Sequence, residues 1–279
     1  MSKITIYVVS QTPVFCPQST CLQWINPNST FGNNIAHRTS YCELRAQYAV
    51  WKNSSHSDED YVGFFHYRRY LSCRFDVATS NKKQRPYTII KKPNFIYYTP
   101  QHVQQVLNNI DVVGPVPEYT GIPVYERYRY SNNHDIKTLD CIGAIIKRDY
   151  PYIYPFYQTY LMGTKEYYGN MYIMKWRHFT SYCIFLFDVL EKYDSMIGNA
   201  PQYSDGYGAE RIFGAYFTWL QSKSNICCGC LPREHFYIFD DERHSFKRER
   251  IANFFLPPGS VSRSIVRRTL INCKRGKIL

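Results

Sequence analysis

The chain has 279 residues, of which 44% are hydrophobic and 20% charged, and its formal net charge is +12 at pH 7. A chain of this size can bury roughly three quarters of its unfolded surface, and its composition excludes disordered, collagen-like and disulfide-stapled classes. It has no uncharged apolar run of the roughly 18 residues that a membrane span needs, and its first residues resemble a strand more than a secretion signal. We expect a cytoplasmic protein with one folded domain over 1–256.

Segments typical of strands and of helices alternate along the chain. The first predicted strand ends at Val9, and after an irregular stretch Ser40-x-x-Glu43 reads as a capping box that opens a helix over 41–53. The later predicted elements are strands at 61–66, 110–114 and 170–174 and helices at 99–109, 135–150, 176–193 and 206–221. This order predicts an α/β fold of Rossmann type, a single domain around a mixed, mostly parallel sheet.

The most informative polar segment follows the second predicted strand. It reads His66-Tyr67-Arg68-Arg69, and open α/β sheets bind ligands beyond the carboxyl ends of their strands. Two adjacent arginines cannot both lie on one face, so at least one should project into this crevice, where a guanidinium group suits a diphosphate. A pair of surface arginines with structural ion partners explains these residues equally well.

A second set of polar residues lies at the ends of later elements. Glu210 and Arg211 follow two glycines near a predicted helix start, where small residues leave room for a ligand and a carboxylate could act as a general base. A structural ion pair between Glu210 and an arginine is the alternative interpretation. Asn170 opens a strand and Asn34 precedes the first helix, and such residues either bind ligands or cap backbone groups.

The ten cysteines are interpreted as thiols, because disulfides are rare in a reducing compartment. The densest cluster, Cys227-Cys228-Gly229-Cys230, lacks the second ligand pair of a structural zinc site, so no metal site is predicted. The sequence also has no Gly-rich phosphate loop and no Gly-x-Ser-x-Gly elbow. The absence of these two motifs argues against the common nucleotide-binding and hydrolase scaffolds.

The positive charge is concentrated at the end of the chain. Half of the surplus lies in residues 262–279, which carry no acidic residue and contain Arg263, Arg267, Arg268, Lys274, Arg275 and Lys277. Apolar residues are interleaved with these cations, as in an amphipathic element drawn to anionic lipid, while a solvated tail or a nucleic-acid contact also fits. Pro257-Pro258-Gly259 marks the predicted start of a basic tail over 257–279.

Several segments together resemble the signature of a polysaccharide-locus domain family long described as of unknown function. They are Gly32-Asn33-Asn34-Ile35, the helix at 41–53, Gly63-Phe64-Phe65-His66-Tyr67-Arg68-Arg69-Tyr70, Val124-Tyr125-Glu126, His134, Asn170-Met171-Tyr172-Ile173-Met174 and Gly206-x-x-x-Glu210-Arg211. Members look like galactofuranosyltransferases of capsule and O-antigen synthesis with a GT-A-like fold. The resemblance implies inverting transfer of a hexose, foremost galactofuranose, from a UDP-sugar to a lipid-linked glycan at the inner face of the plasma membrane.

The resemblance also implies roles for the polar residues. Arg68 or Arg69 would balance the charge that grows on departing UDP, so a divalent metal need not take part. Glu210 is the expected base, with Asp205 and Asp140 as further candidates, by analogy with inverting glycoside hydrolysis. The other residues are assigned to the donor side (Asn34, His66, Tyr67 and Arg211) and to the acceptor side of the pocket (Glu43, Asn170 and His134). In the structural alternatives, Glu43 only completes its capping box and His66 is a core histidine.

The sequence departs from the family pattern at three places. Gln11-Thr12 stands where a His-Lys pair is common, Ala49 where a Trp is common, and Tyr203 where an Arg precedes the Gly-x-x-x-Glu-Arg element. These changes bear on the identity of donor and acceptor more than on the fold. Two other classes stay open, a nucleic-acid-binding protein and a glycan-binding relative without turnover. We expect no nucleic-acid partner, because residues 1–261 carry little net charge and no recognised binding motif.

Overall fold

The computed structural model describes residues 2–77, 84–131, 134–198, 204–237 and 243–275. Within these ranges nine strands form one sheet and two more form a small ribbon. The strands are β1 Ile4–Val9, β2 Leu22–Ile25, β3 Tyr61–His66, β4 Arg69–Leu71, β5 Tyr87–Ile89, β6 Val112–Pro115, β7 Glu118–Tyr119, β8 Lys165–Glu166, β9 Tyr172–Lys175, β10 Cys228–Leu231 and β11 Arg233–His235. The helices are α1 Leu44–Asn53, α2 Pro100–Leu107, α3 Val124–Arg129, α4 Ile136–Asp149, α5 Tyr154–Met162, α6 Trp176–Ile197, α7 Ser204–Gln221, α8 Arg243–Phe255 and α9 Val261–Arg275.

Strand β1 lies inside the sheet and runs parallel to both β2 and β3. Strand β9 runs antiparallel between β3 and β6, and β6 pairs in parallel with β10. Strand β3 turns tightly into β4, so that His66 pairs with Arg69, and β11 joins β4 to β5. The predicted single-domain α/β fold with a mixed sheet is therefore confirmed. The carboxyl ends of β1, β2 and β3 meet at one edge of this sheet.

Both faces of the sheet are covered, which is why its central strands are almost wholly apolar. Alternate residues of β3 point to opposite faces. Val62 and Phe64 join the core with α4, α6 and α7, whereas Tyr61 and Phe65 join the core on the side of α2. Many tyrosines are packing residues of these cores, including the fully buried Tyr41, Tyr70, Tyr98, Tyr128, Tyr172, Tyr182 and Tyr193.

Most of the predicted elements are present with small shifts at their ends. Pro100 occupies the first turn of α2, and Asp135 caps α4 by accepting a hydrogen bond from the Lys137 amide. Strand β2 lies in the stretch expected to be irregular. Helices α3 and α5 were not expected either, because both are short and rich in tyrosine, a residue with weak helix preference.

The capping box predicted at Ser40 and Glu43 is wrong. A 3₁₀ helix at Thr39–Tyr41 comes first, Cys42 has a φ of +50°, and α1 begins only at Leu44. Glu43 makes no side-chain cap hydrogen bond. After the turn at Cys42 its carboxylate instead accepts a hydrogen bond of 2.7 Å from Asn170.

The predicted basic tail is largely helical and contacts the rest of the protein. Helix α9 donates hydrogen bonds from Arg263 to the Tyr87 hydroxyl, at 3.0 Å, and from Arg267 to Glu118, at 3.1 Å. Two of the cations expected to face lipid are therefore turned inward, because half-buried and buried acceptors attract them. The division into a domain and a tail stays a prediction.

Candidate active site

The carboxyl ends of β1, β2 and β3 open into a cavity of about 610 Å³, which we call the strand-end pocket. It is lined by Val9, Ser10, Gln11, Thr12, Pro27, Asn28, Thr39, Cys42, Glu43, Arg45, His66 and Tyr67. Ligands of open α/β sheets bind at this position, since the loops that leave parallel strands diverge there. The structure thus brings the predicted residues His66, Tyr67 and Glu43 into one pocket.

A hydrogen-bond network centred on Gly169 adjoins the strand-end pocket; we call it the Gly169 network. The Gly169 carbonyl accepts from His66 Nε2 at 2.8 Å, and the Gly169 amide donates to Glu210 Oε1 at 2.9 Å. A carbonyl oxygen can only accept, so Nε2 of His66 carries the hydrogen. The main chain of one residue therefore ties the end of β3 to α7.

Asn170 extends the Gly169 network. Its Nδ2 donates to Glu43 Oε1 at 2.7 Å and to the Gly206 carbonyl at 3.1 Å, and its own carbonyl accepts from Gln47. Gly169 and Asn170 have φ values of +95° and +46°, and both are buried. Glycine and asparagine are the residues that best tolerate such backbone conformations. These two residues therefore allow the turn that presents both backbone groups of Gly169.

The two carboxylates of the Gly169 network, Glu43 and Glu210, have opposite pKa shifts. Burial raises the pKa of Glu43, but the neighbouring His66 ring and the hydrogen bond from Asn170 outweigh burial and hold that pKa below its ordinary value. Burial raises the pKa of Glu210, and the charges of Glu43 and Glu166 add to this effect. Neighbouring groups whose pKa values are pushed apart are typical of acid–base sites. Glu210 is the better proton acceptor of the two at neutral pH.

Arg211 lies behind Glu210 and is only 1% exposed. Its guanidinium group bonds to Glu166, to Glu210 Oε2 at 2.9 Å and to the Tyr207 carbonyl at 3.1 Å. Arg211 lines neither cavity of the described site, and the donor-binding role expected for it stays a prediction. Arg211 fixes the Glu210 carboxylate and compensates the buried charge of Glu166.

Glu210 also lines a second cavity, of about 220 Å³, which we call the arginine pocket. Its other lining residues are Arg69, Tyr87, Glu118, Arg127, Tyr168, Arg233, His235, Glu249, Arg263 and Arg267. The two arginines predicted to diverge after β3 do so: Arg69 faces the arginine pocket, whereas Arg68 stays in the turn with its guanidinium carbon 5.4 Å from the centre of the Tyr67 ring. The Gly169 network lies between the two pockets.

Two further predicted residues line neither pocket. Asn34 bonds to backbone groups of its own loop, as a local cap would. His134 is stacked on Tyr128 and Tyr207, with ring centroids 4.3 and 4.2 Å away. Burial and the charge of Arg211 lower the pKa of His134 to about 4. Asn34 therefore contacts its own loop and His134 packs between two tyrosine rings, and the donor and acceptor contacts expected for these two residues stay predictions.

The alternative bases are also placed away from the Gly169 network. Asp205 is fully buried at the start of α7, outside both pockets, where burial and the nearby Asp194 raise its pKa to about 7. Asp140 is exposed in a separate cavity beside α4 and α5, where it accepts a hydrogen bond from Tyr125. Asp205 is enclosed and Asp140 lies in another cavity, so Glu210 is the base candidate that belongs to the Gly169 network. The catalytic roles of Glu210, Asp205 and Asp140 stay predictions.

Several charged residues of the two pockets are not among the predicted site residues. Arg45 lines the strand-end pocket and donates to the Cys42 and Ala36 carbonyls. Arg127 and Arg233 line the arginine pocket from elements far apart in the chain. No local motif connects such residues. Strand β11 itself reads Arg233-Glu234-His235, so the apolar pattern that marks a buried strand is missing there as well.

A family model described as "Domain of unknown function (DUF4422)" matches residues 9–222. The chain belongs to the DUF4422 family. The match includes the strand-end pocket and the Gly169 network, so these are features of the DUF4422 region itself. The arginine pocket also draws on residues beyond that region, in β11, α8 and α9.

A solved structure, the apo form of the bifunctional glycosyltransferase WbbM, matches 85% of this DUF4422 chain with a TM-score of 0.74 and 23% identity. The match covers 46% of the WbbM chain, so the present chain spans less than half the length of that protein. At this identity the likeness establishes the fold alone, and it confirms the predicted GT-A-like architecture. No curated protein matches the chain.

Two features are absent from the described ranges of this DUF4422 chain. In those ranges no helix is both long and apolar enough to cross a membrane. The same ranges contain no group of three or more histidine, cysteine, aspartate and glutamate side chains that could hold a metal ion. Tyr203, one of the departures from the family pattern, lies outside the described residues. Independence from a divalent metal stays a prediction.

Proposed function

We propose that this DUF4422 protein is an inverting glycosyltransferase of capsule or O-antigen synthesis. It moves a hexose, foremost galactofuranose, from a UDP-sugar to a lipid-linked glycan. The observation that carries the proposal is the Gly169 network, in which Glu43, His66, Asn170 and Glu210 meet at the edge of the strand-end pocket. The likeness of the fold to that of a glycosyltransferase supports the same reaction class.

The strand-end pocket is the proposed donor site. Its volume of about 610 Å³ is in the range of pockets that hold small-molecule ligands. It opens where nucleotides bind in α/β folds, at the carboxyl ends of parallel strands. His66 and Tyr67 line it, and Arg68 in the adjoining turn supplies a guanidinium group that suits the donor diphosphate.

Glu210 is the proposed general base. The acceptor hydroxyl oxygen attacks the anomeric carbon, its proton passes to Glu210, and the bond from that carbon to the diphosphate oxygen breaks, so UDP leaves with the electron pair. The Gly169 amide and Arg211 each hold one carboxylate oxygen, and each oxygen keeps a lone pair for the proton. Guanidinium charge near the diphosphate stabilises the leaving group.

Helices α8 and α9 are the proposed membrane contact. Both expose large apolar side chains, namely Ile251, Phe254, Phe255, Val261, Ile265 and Leu270. Exposed cations lie on the same helices, among them Arg248, Arg250 and Arg268. Apolar side chains beside cations favour the interface of an anionic membrane. This contact would hold the protein at the inner face of the plasma membrane, close to a lipid-linked acceptor.

The membrane contact is tested by sedimentation with anionic liposomes. Deleting 262–279, or changing Phe254 and Phe255 to serine, is expected to reduce the bound fraction. Phe15 and Phe31 are equally exposed on another part of the surface, so a Phe15→Ser and Phe31→Ser protein is the matched control. Unchanged binding of the α8 variant would contradict the proposed contact.

The transferase activity is tested by mass spectrometry of products. Purified protein is incubated with UDP-galactofuranose, UDP-galactopyranose or UDP-glucose and a lipid-tailed glycoside, with and without EDTA. A product heavier by one hexose from the first donor, also in EDTA, is expected. A product from galactopyranose alone would correct the donor sugar. Sugar binding without turnover would favour the non-catalytic glycan-binding alternative, and a folded protein that fails to bind UDP would overturn the transferase proposal.

A nucleic-acid-binding role is tested separately by filter binding across a salt series. Binding through phosphate contacts must weaken steeply as salt rises. We expect no such salt-sensitive binding. Tight, salt-sensitive binding of RNA or DNA together with a lack of hexose transfer would replace the proposed function.

A further inference from the structure

The arginine pocket has the composition of an anion site. Among the described residues, its lining includes five arginines and one histidine against three glutamates. Two of these arginines are held by one carboxylate, because Glu118 accepts from Arg233 at 2.6 Å and from Arg267 at 3.1 Å. Burial raises the pKa of Glu118, but these two arginines outweigh it and keep the pKa below its ordinary value. The pocket therefore keeps Glu118 ionised and still has an excess of cations.

Tyrosine rings alternate with the guanidinium groups and hold them in place. Arg127 and Arg233 lie 4.9 and 5.3 Å from the centre of the Tyr168 ring, and Arg233 and Arg263 lie 5.5 and 5.9 Å from the centre of the Tyr87 ring. Guanidinium groups stacked on rings lose little further freedom when they bind a ligand. The order Arg127, Tyr168, Arg233, Tyr87, Arg263 is thus a preorganised row of donors.

Two polar side-chain atoms of the arginine pocket are buried and have no hydrogen-bond partner among the described residues. The Arg233 side chain is 3% exposed and the His235 side chain 9% exposed. Arg233 Nε and His235 Nε2 have no hydrogen-bond partner among the described residues. Burial and the charges of Arg233 and Arg68 also lower the pKa of Arg69. A buried donor without a partner is costly, so these groups are better explained by an anionic ligand than by packing.

The arginine pocket lies between the proposed base and the proposed membrane contact. Glu210 lines one part of it, and Arg263 and Arg267 of α9 line another. The same helix packs closely on the protein, because a Cβ at Gly121 would come within 2.9 Å of Ser264. Its remaining apolar side chains are exposed, as described above for α8 and α9. A ligand that reaches Glu210 from a membrane would therefore pass these arginines.

We infer that the arginine pocket binds a phosphate ester of the acceptor, the phosphate or diphosphate that joins the glycan to its lipid. The inference rests on the proposed function and names the chemistry of its second substrate. Two guanidinium groups can each make a bidentate contact to phosphate oxygens. The donor diphosphate is a different source of the same chemistry, and it belongs to the strand-end pocket beyond the Gly169 network. Binding of the two phosphates should therefore be independent.

The first experiment measures binding of inorganic pyrophosphate by calorimetry in a protein already saturated with UDP. We expect a second, UDP-independent site. The double variant Arg263→Gln and Arg267→Gln should weaken pyrophosphate binding at this site by about tenfold or more, because it removes two guanidinium groups that can hydrogen-bond to phosphate oxygens. The double variant Arg74→Gln and Arg148→Gln, at exposed positions outside both pockets, is the matched control and should bind pyrophosphate like the wild type. Competition between pyrophosphate and UDP would assign the arginines to the donor and overturn the inference.

The second experiment compares two water-soluble acceptors with the same glycan, one joined to a short alkyl chain through a diphosphate and one joined directly. The double variant is expected to raise KM for the diphosphate acceptor about tenfold while KM for the phosphate-free acceptor changes little. Equal changes for both acceptors would overturn the inference even if transfer itself is observed. Pyrophosphate binding at a second site without any hexose transfer would instead uphold the anion site and refute the proposed transferase.

Discussion

The strand-end pocket and the arginine pocket adjoin the same network but are built in different ways. Loops that leave three neighbouring strands make the first pocket, and its walls are backbone and small side chains as much as charge. Side chains from β4, β5, β7, β11 and four helices make the second pocket, and almost all of them are charged or aromatic. A pocket of the first kind follows from strand order, whereas a pocket of the second kind exists only after distant elements have packed.

The sharpest test of the comparison changes the carboxylate at the boundary between the pockets. Glu210→Gln keeps the size of the side chain but removes the base, and its single carbonyl oxygen can accept from Gly169 or from Arg211 but not from both. We expect kcat to fall by about 10²- to 10⁴-fold, while the affinities for UDP and pyrophosphate stay within a factor of about two of the wild type. Single-turnover kinetics and calorimetry on the same protein check this. Asp140→Asn is the control, and a similar loss of kcat there would contradict the assignment of the base.

A second test compares the contributions of the two pockets to stability. Arg233→Met leaves Glu118 buried with one partner fewer, and breaking a buried pair costs about 3 kcal/mol at the lower end. Gln11→Ala, at an exposed position of the strand-end pocket, should cost less than about 0.5 kcal/mol. Urea titrations of the two variants measure both values. Equal stability of the two variants would mean that the ion pairs of the arginine pocket are not structural.

A third test uses the opposite pH responses of the two regions. The pKa of Asp205, behind the strand-end pocket and beside Asp194, Tyr41 and Arg38, is raised from 3.8 to about 7. Its contribution to stability is therefore complete below pH 3.8 and is lost as pH rises through about 7. Glu118 has a lowered pKa, so its contribution is present above the ordinary value and is lost as pH falls below it.

The measurement is a thermal melting series between pH 5 and pH 8. His134, whose pKa is lowered to about 4, gains stability as pH rises toward 6.5 in both proteins. The expected result is therefore a difference: relative to the wild type, the Tm of Asp205→Asn should rise between pH 5 and pH 8, by about 3 °C for each kcal/mol recovered. The Glu118 pairs change little in this window, because the Glu118 carboxyl group is ionised throughout. If the Tm of Asp205→Asn depends on pH in the same way as that of the wild type, a group other than Asp205 causes the pH dependence.

The smallest expected effect concerns the two residues that depart from the family pattern. Gln11 and Thr12 both line the strand-end pocket. The double change Gln11→His and Thr12→Lys adds one exposed cation, and exposed ion pairs contribute up to about 1 kcal/mol. We expect an increase in UDP affinity of about fivefold or less and no change in the affinity for pyrophosphate, both measured by calorimetry. Tighter binding of both ligands would contradict the independence of the two pockets.

The side of the strand-end pocket at the end of β3 could be predicted from the sequence, because His66 and Tyr67 follow an apolar strand. The apolar run at 61–66 predicts a covered strand, and the polar residues after it must then lie at the sheet edge. Glu43 was placed near the site only through the family resemblance, since the local pattern alone favours a capping box. The capping-box prediction failed because Cys42 has a positive φ, which delays the start of α1. The Ser-x-x-Glu spacing carries no information about that backbone conformation.

The arginine pocket could not be predicted in this way. Arg263 and Arg267 look like lipid-facing cations as long as the position of α9 is unknown, because their partners Tyr87 and Glu118 are more than a hundred residues away. Arg211 looks like a ligand-binding residue beside Glu210 for a similar reason. Arg211 becomes a buried counter-charge only because α7 packs next to Glu166, whose carboxylate accepts a hydrogen bond from it. Charge patterns along a chain record sign and spacing, but the partner of each charge is set by the fold.

The position of Gly169 also restricts how the protein can evolve. One of its backbone groups bonds to His66 and the other to Glu210, so a shift of this loop would lengthen both hydrogen bonds together. Any other residue at position 169 would be strained by the positive φ. Its Cβ would also lie only 3.2 Å from the side chain of Met171. The positions of His66 and of the proposed base Glu210 are thus tied to one loop, and a substitution can move one of these side chains alone only if it leaves this loop in place.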